Sequence, residues 1–302
     1  MELRQLRAFV KAAETLNFTE AAKALCVTQS SFSQSIKMLE EELNVTLFHR
    51  NSHEVSLSQA GYELLPFARQ TLQQADNCVN RMNDLLGLKA GTLNVGVTHS
   101  FSMLMNECIM LFHKTYPGIK LHVYYKTMNE LMEMLTKREL DFVVSFKPFD
   151  SYPQIESHIL FDDSLSAIVK KDHPLAKHKS ISVHQLVDYD LVLPTKGLQA
   201  RNTLDAMVGR RNLEMRTIIE MNSVNPLLHL VQNSNYVTVL SSAAIEESSG
   251  LCAIPIDDPE ATMTGSFHIL KESYKKEATK EFIRLLCDTN AIRNRLYSWL
   301  GK

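Results

Sequence analysis

Residues Thr19–Leu43, TEAAKALCVTQSSFSQSIKMLEEEL, decide how the rest of the chain is read. They divide into two short helices joined by a tight turn. In the second, Phe32, Ile36, Leu39 and Leu43 recur at alternating spacings of four and three, which is one face of an α-helix. Gln29, Ser33 and Lys37 follow one another a turn apart on a different edge, flanked by Ser30 and Gln34. Short donors and acceptors near a helix N-terminus are what the DNA major groove accommodates. Thr28 stands at the N-cap position. Upstream, Ala21, Ala22 and Leu25 give the preceding helix a small apolar side, with Thr19 as its expected cap, so the two helices can cross closely. The pattern predicts a helix-turn-helix whose DNA-facing set is Thr28, Gln29, Ser30, Ser33, Gln34 and Lys37.

Working outward, Leu3–Thr15 reads as a first helix with Leu6, Val10 and Ala13 inward. Asn44 follows the recognition helix, and Asn tolerates the positive φ of a helix C-terminus. Leu47-Phe48 anchors a two-stranded wing over His49–Leu57, with Arg50, Asn51, Ser52 and His53 at its tip. Arg50 and His53 join the DNA set as phosphate or minor-groove contacts, Arg50 foremost; a solvated hairpin tip is the alternative. Ser58 caps a helix running to about Leu86. Along it Leu65, Ala68, Leu72, Ala75, Val79, Met82 and Leu86 alternate by three and four, a heptad seam. So long a helix with one narrow apolar stripe predicts pairing with a second copy, which would space two recognition helices on a two-fold DNA site. Packing on its own domain is the alternative. Pro66 predicts a slight bend near the start.

From Leu3 to Gly61 the chain resembles the winged DNA-binding domain of LysR-type transcriptional regulators. The residues that carry the resemblance are Leu6-Arg7-Ala8-Phe9, Asn17 to Leu25, Val27 to Ser33, Ile36, Leu39 to Leu43, Leu47 to Arg50 and Ser58-Gln59-Ala60-Gly61. The rest of the chain has the length and order of that family's regulatory domain. Ser30 and Gln34 replace the family's common proline and arginine, which bears on operator preference rather than fold. Membership implies a homodimer or homotetramer on double-stranded DNA, a small-molecule effector, and contact with RNA polymerase as a further possibility.

Gly87-Leu88-Lys89-Ala90-Gly91 breaks the pattern, and the period then changes. Leu93–Val97, Lys120–Tyr125 and Phe142–Phe146 are strand-like, separated by helical stretches Phe101–Tyr116 and Asn129–Arg138. Strand-helix alternation means a parallel sheet. A second such set runs from Ser164 to Leu240, and Phe267–Leu270 with Lys280–Leu300 most simply return to the first. The expected architecture is therefore α/β with an N-terminal winged helix-turn-helix over 1–57 and a dimerisation linker helix over 58–87. A two-lobed regulatory domain that resembles periplasmic binding proteins fills 91–302. Lobe I is 91–162 plus 267–302, and lobe II is 163–266.

In such sheets ligands sit at the carboxyl ends of strands, beside helix N-termini. Four strand ends carry short polar residues: Thr98-His99-Ser100, Lys126-Thr127, Thr195-Lys196 and Asn222-Ser223. By resemblance, Thr98, Ser100, Thr127, Thr195 and Asn222 would line an effector cleft between the lobes, with His99 and Ser145 added. Lys126 and Lys196 would favour an anionic effector. Plainer roles remain open: Thr127-x-x-Glu130 fits a capping box, Ser100 can cap a helix, and His99 can be a packed histidine. Asn235 of Ser234-Asn235-Tyr236 can hold a positive φ where the family has glycine.

The 302 residues allow two or more domains, and 45% apolar with 22% charged residues is ordinary for a globular chain. No apolar run reaches the roughly 20 residues of a membrane span. Glu2, Arg4, Arg7 and Lys11 interrupt any signal-peptide pattern, so the cytoplasm is the expected compartment. Net charge is −2, and through Ala60 anions outnumber cations by one, so DNA affinity must come from local placement. Cys26, Cys78, Cys108, Cys252 and Cys287 have no metal spacing and read as reduced, buried thiols. Met103, Met105, Met110, Met128, Met132 and Met134 read as core. No cofactor, metal site or catalytic set is expected: GxSxG, P-loop and HExxH patterns are absent. A secreted solute-binding protein would need a leader and has no use for a helix-turn-helix.

Overall fold

The computed structural model describes residues 1–50, 55–85, 88, 90–148, 150–245, 249–289 and 292. Of the expectations above, the wing-tip residue His53, the seam residue Leu86 and most of 290–300, the end of the stretch Lys280–Leu300, fall outside the described residues. The chain forms two compact units, Met1–Met82 and Asn83–Lys302.

In the first unit, α1 (Leu3–Thr15), α2 (Phe18–Ala24) and α3 (Gln29–Leu43) precede β1 (Phe48–Arg50), β2 (Val55–Leu57) and α4 (Gln59–Leu85). The core is aromatic. Phe48 meets Phe9 at 5.6 Å and Phe18 at 5.3 Å, and Phe18 meets Phe32 at 5.4 Å, all tilted or edge-on as ring quadrupoles favour. On α1 the Phe9 ring turns the inward face to Leu6, Phe9 and Ala12, which leaves the expected Val10 and Ala13 half-buried. Asn17, not Thr19, caps α2, because Phe18 is already helical; its Oδ1 accepts the N–H groups of Thr19 (3.0 Å) and Glu20 (3.1 Å). Asn44 does adopt the left-handed conformation, with φ 54°.

Ser58 caps α4, its Oγ accepting Gly61 N–H at 3.0 Å. The seam expected along α4 divides. Ala68 is buried in the head, with Leu65 and Leu72 packed against the same core. Those three therefore serve their own domain rather than a partner helix. Three short helices and a two-stranded wing have little core of their own, and the start of α4 completes it. Further along, Ala75 is half-buried and Val79 and Met82 are exposed; Phe67 and Leu85 add to the exposed apolar surface.

The second unit opens with β3 (Gly91–Val97), a 3-10 turn over His99–Phe101, α5 (Ser102–Thr115), β4 (Ile119–Tyr125), α6 (Met128–Thr136) and β5 (Phe142–Phe146). β3 pairs in parallel with both β4 and β5. β6 (Ile155–Lys170) is one long strand. After it come β7 (Leu191–Pro194), α7 (Gln199–Arg210), β8 (Thr217–Met221), α8 (Val224–Gln232), β9 (Thr238–Ser241), β10 (Leu251–Pro255), β11 (Thr262–Leu270) and α9 (Glu277–Asp288).

β6 and β11 make both crossings between the lobes; β11 pairs antiparallel with β6 from Ile155 to Ser164, with Asp162 opposite Thr264 and one irregularity between Gly265 and Ser266. Beyond Ser164, β6 turns to β9 and β10, both antiparallel. The second lobe is thus not the single parallel sheet the sequence suggested: β9 and β10 pair antiparallel with β6, and β7 and β8 form a separate two-stranded parallel sheet. The core of this lobe is continuous with that of the first lobe. Asn235 has no positive φ, and Tyr236 packs against that core. The thiols are not all buried: Cys26, Cys78 and Cys287 are exposed. Among the methionines, Met110 is also exposed, on the outer face of α5.

Candidate DNA-binding face and effector cleft

The two edges of α3 separate as the spacing requires. Phe32, Ile36 and Leu39 are buried. Gln29, Ser30, Gln34 and Lys37 are exposed, and Ser33 is half-buried between them. The Thr28 hydroxyl accepts Ser31 N–H at 3.2 Å and also contacts Ser30 Oγ at 3.1 Å, so it shapes the first turn. Lys37 lies 3.6 Å from Glu41, one turn on, in a solvated pair of little energetic weight.

Arg50 is not a free tip residue. Its guanidinium donates to Glu40 Oε2 at 3.0 Å and lies over the Phe18 ring, 4.5 Å from the centroid. Glu40 is a junction that no local pattern marks. Its Oε1 accepts the N–H groups of Leu47 (2.8 Å) and Phe48 (3.2 Å), where the chain enters the wing. One carboxylate thereby joins α3, β1 and Arg50. Glu40→Ala should cost the head about 2 kcal/mol, as charge-assisted bonds to N–H groups do. It should also weaken DNA binding about tenfold, although it removes a negative charge from the DNA-binding unit. A denaturant melt and a binding isotherm check both; tighter DNA binding would show that charge, not wing placement, dominates.

The carboxyl ends of β3, β4 and β5 lie side by side. Val97 is opposite Tyr125, and Thr98 N–H donates to Val144 O at 3.1 Å. Thr98, His99, Ser100 and Thr127 therefore gather at one end of the first lobe. Thr98 Oγ1 is buried without a hydrogen-bond partner. His99 is half-buried and stacked on Tyr125, 6.0 Å between centroids; Ser100 is half-buried beside it. Thr127 donates through both N–H (3.0 Å) and hydroxyl (2.7 Å) to Glu130, whose other oxygen takes Lys126 at 3.0 Å. The Thr127 bonds, then Lys126, hold the Glu130 carboxyl down to about 2. Thr127 and Lys126 are thus engaged in capping α6. Ser145 is a correction to the expected lining: it is fully buried, with its hydroxyl bonded to Phe146 O at 3.0 Å and 3.5 Å from Met128 Sδ.

On the second lobe Pro194 is opposite Met221, and Thr195 N–H donates to Met221 O at 2.9 Å, which brings Thr195 beside the exposed Asn222. Sequence reading missed what braces this end. Arg201, buried on α7, donates to Pro194 O (3.0 Å), Glu220 (2.6 Å) and Asp205 (2.7 Å). It also missed Gln199, whose side chain donates to Lys147 O across the lobes at 2.6 Å. The i, i+4 pair Arg201 and Asp205 was a usable signal; Gln199 carried none. At the crossing, Asp163 accepts from Ser241, Ser242 and Ala243 N–H, which fixes the turn after β9.

A helix-turn-helix head joined through one long helix to a two-lobed, mixed α/β domain defines a DNA-binding regulator with a ligand-type sensor. Residues 3–62 match the bacterial regulatory helix-turn-helix protein, lysR family, and residues 86–291 match the LysR substrate binding domain. The chain belongs to the LysR family of transcriptional regulators, whose members bind DNA and respond to effectors; it is not an enzyme. It is 30% identical over 267 residues to the transcriptional dual regulator GltC of Bacillus subtilis, covering 87% of this chain and 89% of that one. A full-length OxyR variant from Pseudomonas aeruginosa is similar in structure, with TM-score 0.71 and 25% identity over 97% of this chain and 95% of that one. Full-length CbnR complexed with its target DNA shares the fold, with TM-score 0.59 and 22% identity over 95% of this chain and 99% of that one. Among the described residues no helix is long and apolar enough to cross a membrane.

Proposed function

We propose that the exposed edge of α3 enters the major groove, where Gln29, Ser30, Ser33, Gln34 and Lys37 read one half-site and Thr28 sets the first turn. The observation that carries this is the division of α3: its apolar edge is buried while these polar side chains, Ser33 only in part, reach solvent. Arg50, held by Glu40 and Phe18, positions the wing and faces the backbone. Copies of the chain pair through the distal, exposed part of α4, around Val79, Met82 and Leu85. Two heads then address a two-fold operator, and their added contacts offset the near-neutral charge of each head.

An effector occupies the space between the lobes, against Thr98, His99 and Ser100 on one side and Thr195 and Asn222 on the other. Thr98 supports this, since a buried hydroxyl without a partner is stabilised by a ligand that bonds to it. Binding the closed pair of lobes better than the open pair shifts the spacing of the heads. The protein acts in the cytoplasm, where the operator and RNA polymerase are.

Gln29→Ala and Ser33→Ala should each lower specific operator affinity about tenfold or more, with unchanged thermal unfolding. Footprints of a captured genomic site, with and without a metabolite panel, test both halves. Unaltered footprints for both variants would reject the recognition edge, and an effector response intact in Thr98→Val would reject the cleft assignment.

A further inference from the structure

The carboxyl end of α6 is closed by an arginine in a conformation that glycine adopts freely. Arg138 has φ 63°. Its N–H donates to Leu135 O at 3.0 Å, and the next N–H, from Glu139, donates to Met134 O at 2.9 Å. Such closures favour glycine, because a Cβ is strained in the left-handed region. The backbone alone therefore gives no reason for arginine here.

The side chain has no structural employment either. Neighbouring Lys137 pairs with Glu133, and Lys126 with Glu130. Among the described residues the Arg138 guanidinium has no such partner, and its Nη1 is shut off from solvent with no hydrogen bond. The residue lines a cavity of about 250 Å³ together with Pro153, Gln154, Leu270, Lys271 and Glu272. Lys271 fixes one wall: its N–H donates to Gln154 O at 3.0 Å and its Nζ to Pro153 O at 2.6 Å. Two cationic side chains thus border the cavity against one carboxylate. The position is remote from the interlobe cleft. Arg138 precedes β5, Gln154 precedes β6 and Lys271 follows β11, at the strand ends opposite those that carry Thr98 and Thr127.

We propose that this cavity is a second ligand site, which takes a small oxyanion, the carboxylate or phosphate group of a metabolite, on Arg138 with Lys271 beside it. A guanidinium presents paired N–H groups that match an oxyanion's geometry, and Glu272 sets a preference for ligands that also carry a donor. Because β6 and β11 cross to the second lobe, an anion bridging Arg138 to their near ends would act on the same two strands that link the lobes.

The test is thermal unfolding of the full-length protein titrated with sodium phosphate, and separately with sodium succinate, at constant ionic strength set with chloride. The expected result is a saturable rise in the unfolding midpoint with at least one anion; phosphate alone would assign a phosphoryl ligand, succinate alone a carboxylate. In Arg138→Gly the midpoint in chloride should equal or exceed that of the wild type, since glycine removes the strain, while apparent anion affinity falls at least about tenfold. Arg138→Lys should retain an intermediate response. Equal anion responses in Arg138→Gly and wild type would overturn the proposal by moving the binding elsewhere, the interlobe cleft included. Absence of a saturable response to both anions would overturn it as well.

Discussion

Gly61→Ala should destabilise the N-terminal unit by about 3 kcal/mol, the upper range for forcing atoms into a filled core. A Cβ at Gly61 would lie 2.3 Å from Leu47 O and 2.7 Å from Leu57 Cδ2. The first contact is with backbone, and that carbonyl is already held, since it accepts Ser58 N–H at 2.9 Å. Neither α4 nor the chain entering β1 can therefore give way alone. Relief requires α4 to shift off the head, which would uncover Ala68 and loosen Leu65 and Leu72. In urea the first unit should unfold well before Asn83–Lys302, and DNA binding should be lost with it. A midpoint within error of wild type would mean that α4 tilts without cost.

Acid should weaken the second unit through His268. This residue is fully buried on β11, with Nδ1 2.8 Å from Ser157 Oγ. Burial, and to a lesser extent nearby His158, pushes its imidazole from 6.5 down to about 4; the backbone of Ser145 and Phe146 opposes this only in part. The folded state therefore holds it neutral where the unfolded chain takes up a proton. Stability from this group is complete above pH 6.5 and declines as pH falls towards 4. Over that window the loss is about 3 kcal/mol. His268→Phe should flatten the profile in the upper part of the window, above the range where carboxylates titrate. Parallel profiles for wild type and variant, followed by denaturant midpoints, would show that His268 protonates without opening the fold. Glu130 acts lower still: its stabilisation, present above 4.5, is lost as pH falls towards about 2.

The sequence by itself determined the helix-turn-helix, because a 3.6-residue period and a cap are local facts. Phe32, Ile36 and Leu39 could only be one face, Thr28 only a helix start, and Asn44 a residue that accepts φ 54°. It also determined β3, β4 and β5 as strands with polar ends, since those runs are bounded by helices of opposite period. The distribution of partners was decided by the tertiary structure. Leu65, Ala68 and Leu72 obey a heptad as well as any paired helix does, yet they close the head, because spacing does not say which core is short of cover. Thr127 and Thr98 both follow strand ends, and the capping-box spacing marked Thr127 alone; that it is bonded to Glu130, while the Thr98 hydroxyl is buried without a partner, is fixed by the fold. β6 hid its first half behind Glu156, Ser157 and His158, polar residues that a strand tolerates only once β11 lies beside it. Glu40 and Arg138 were ordinary charges in the sequence. Their roles arise from backbone N–H groups and a cavity wall supplied by residues distant in sequence, which no local pattern encodes.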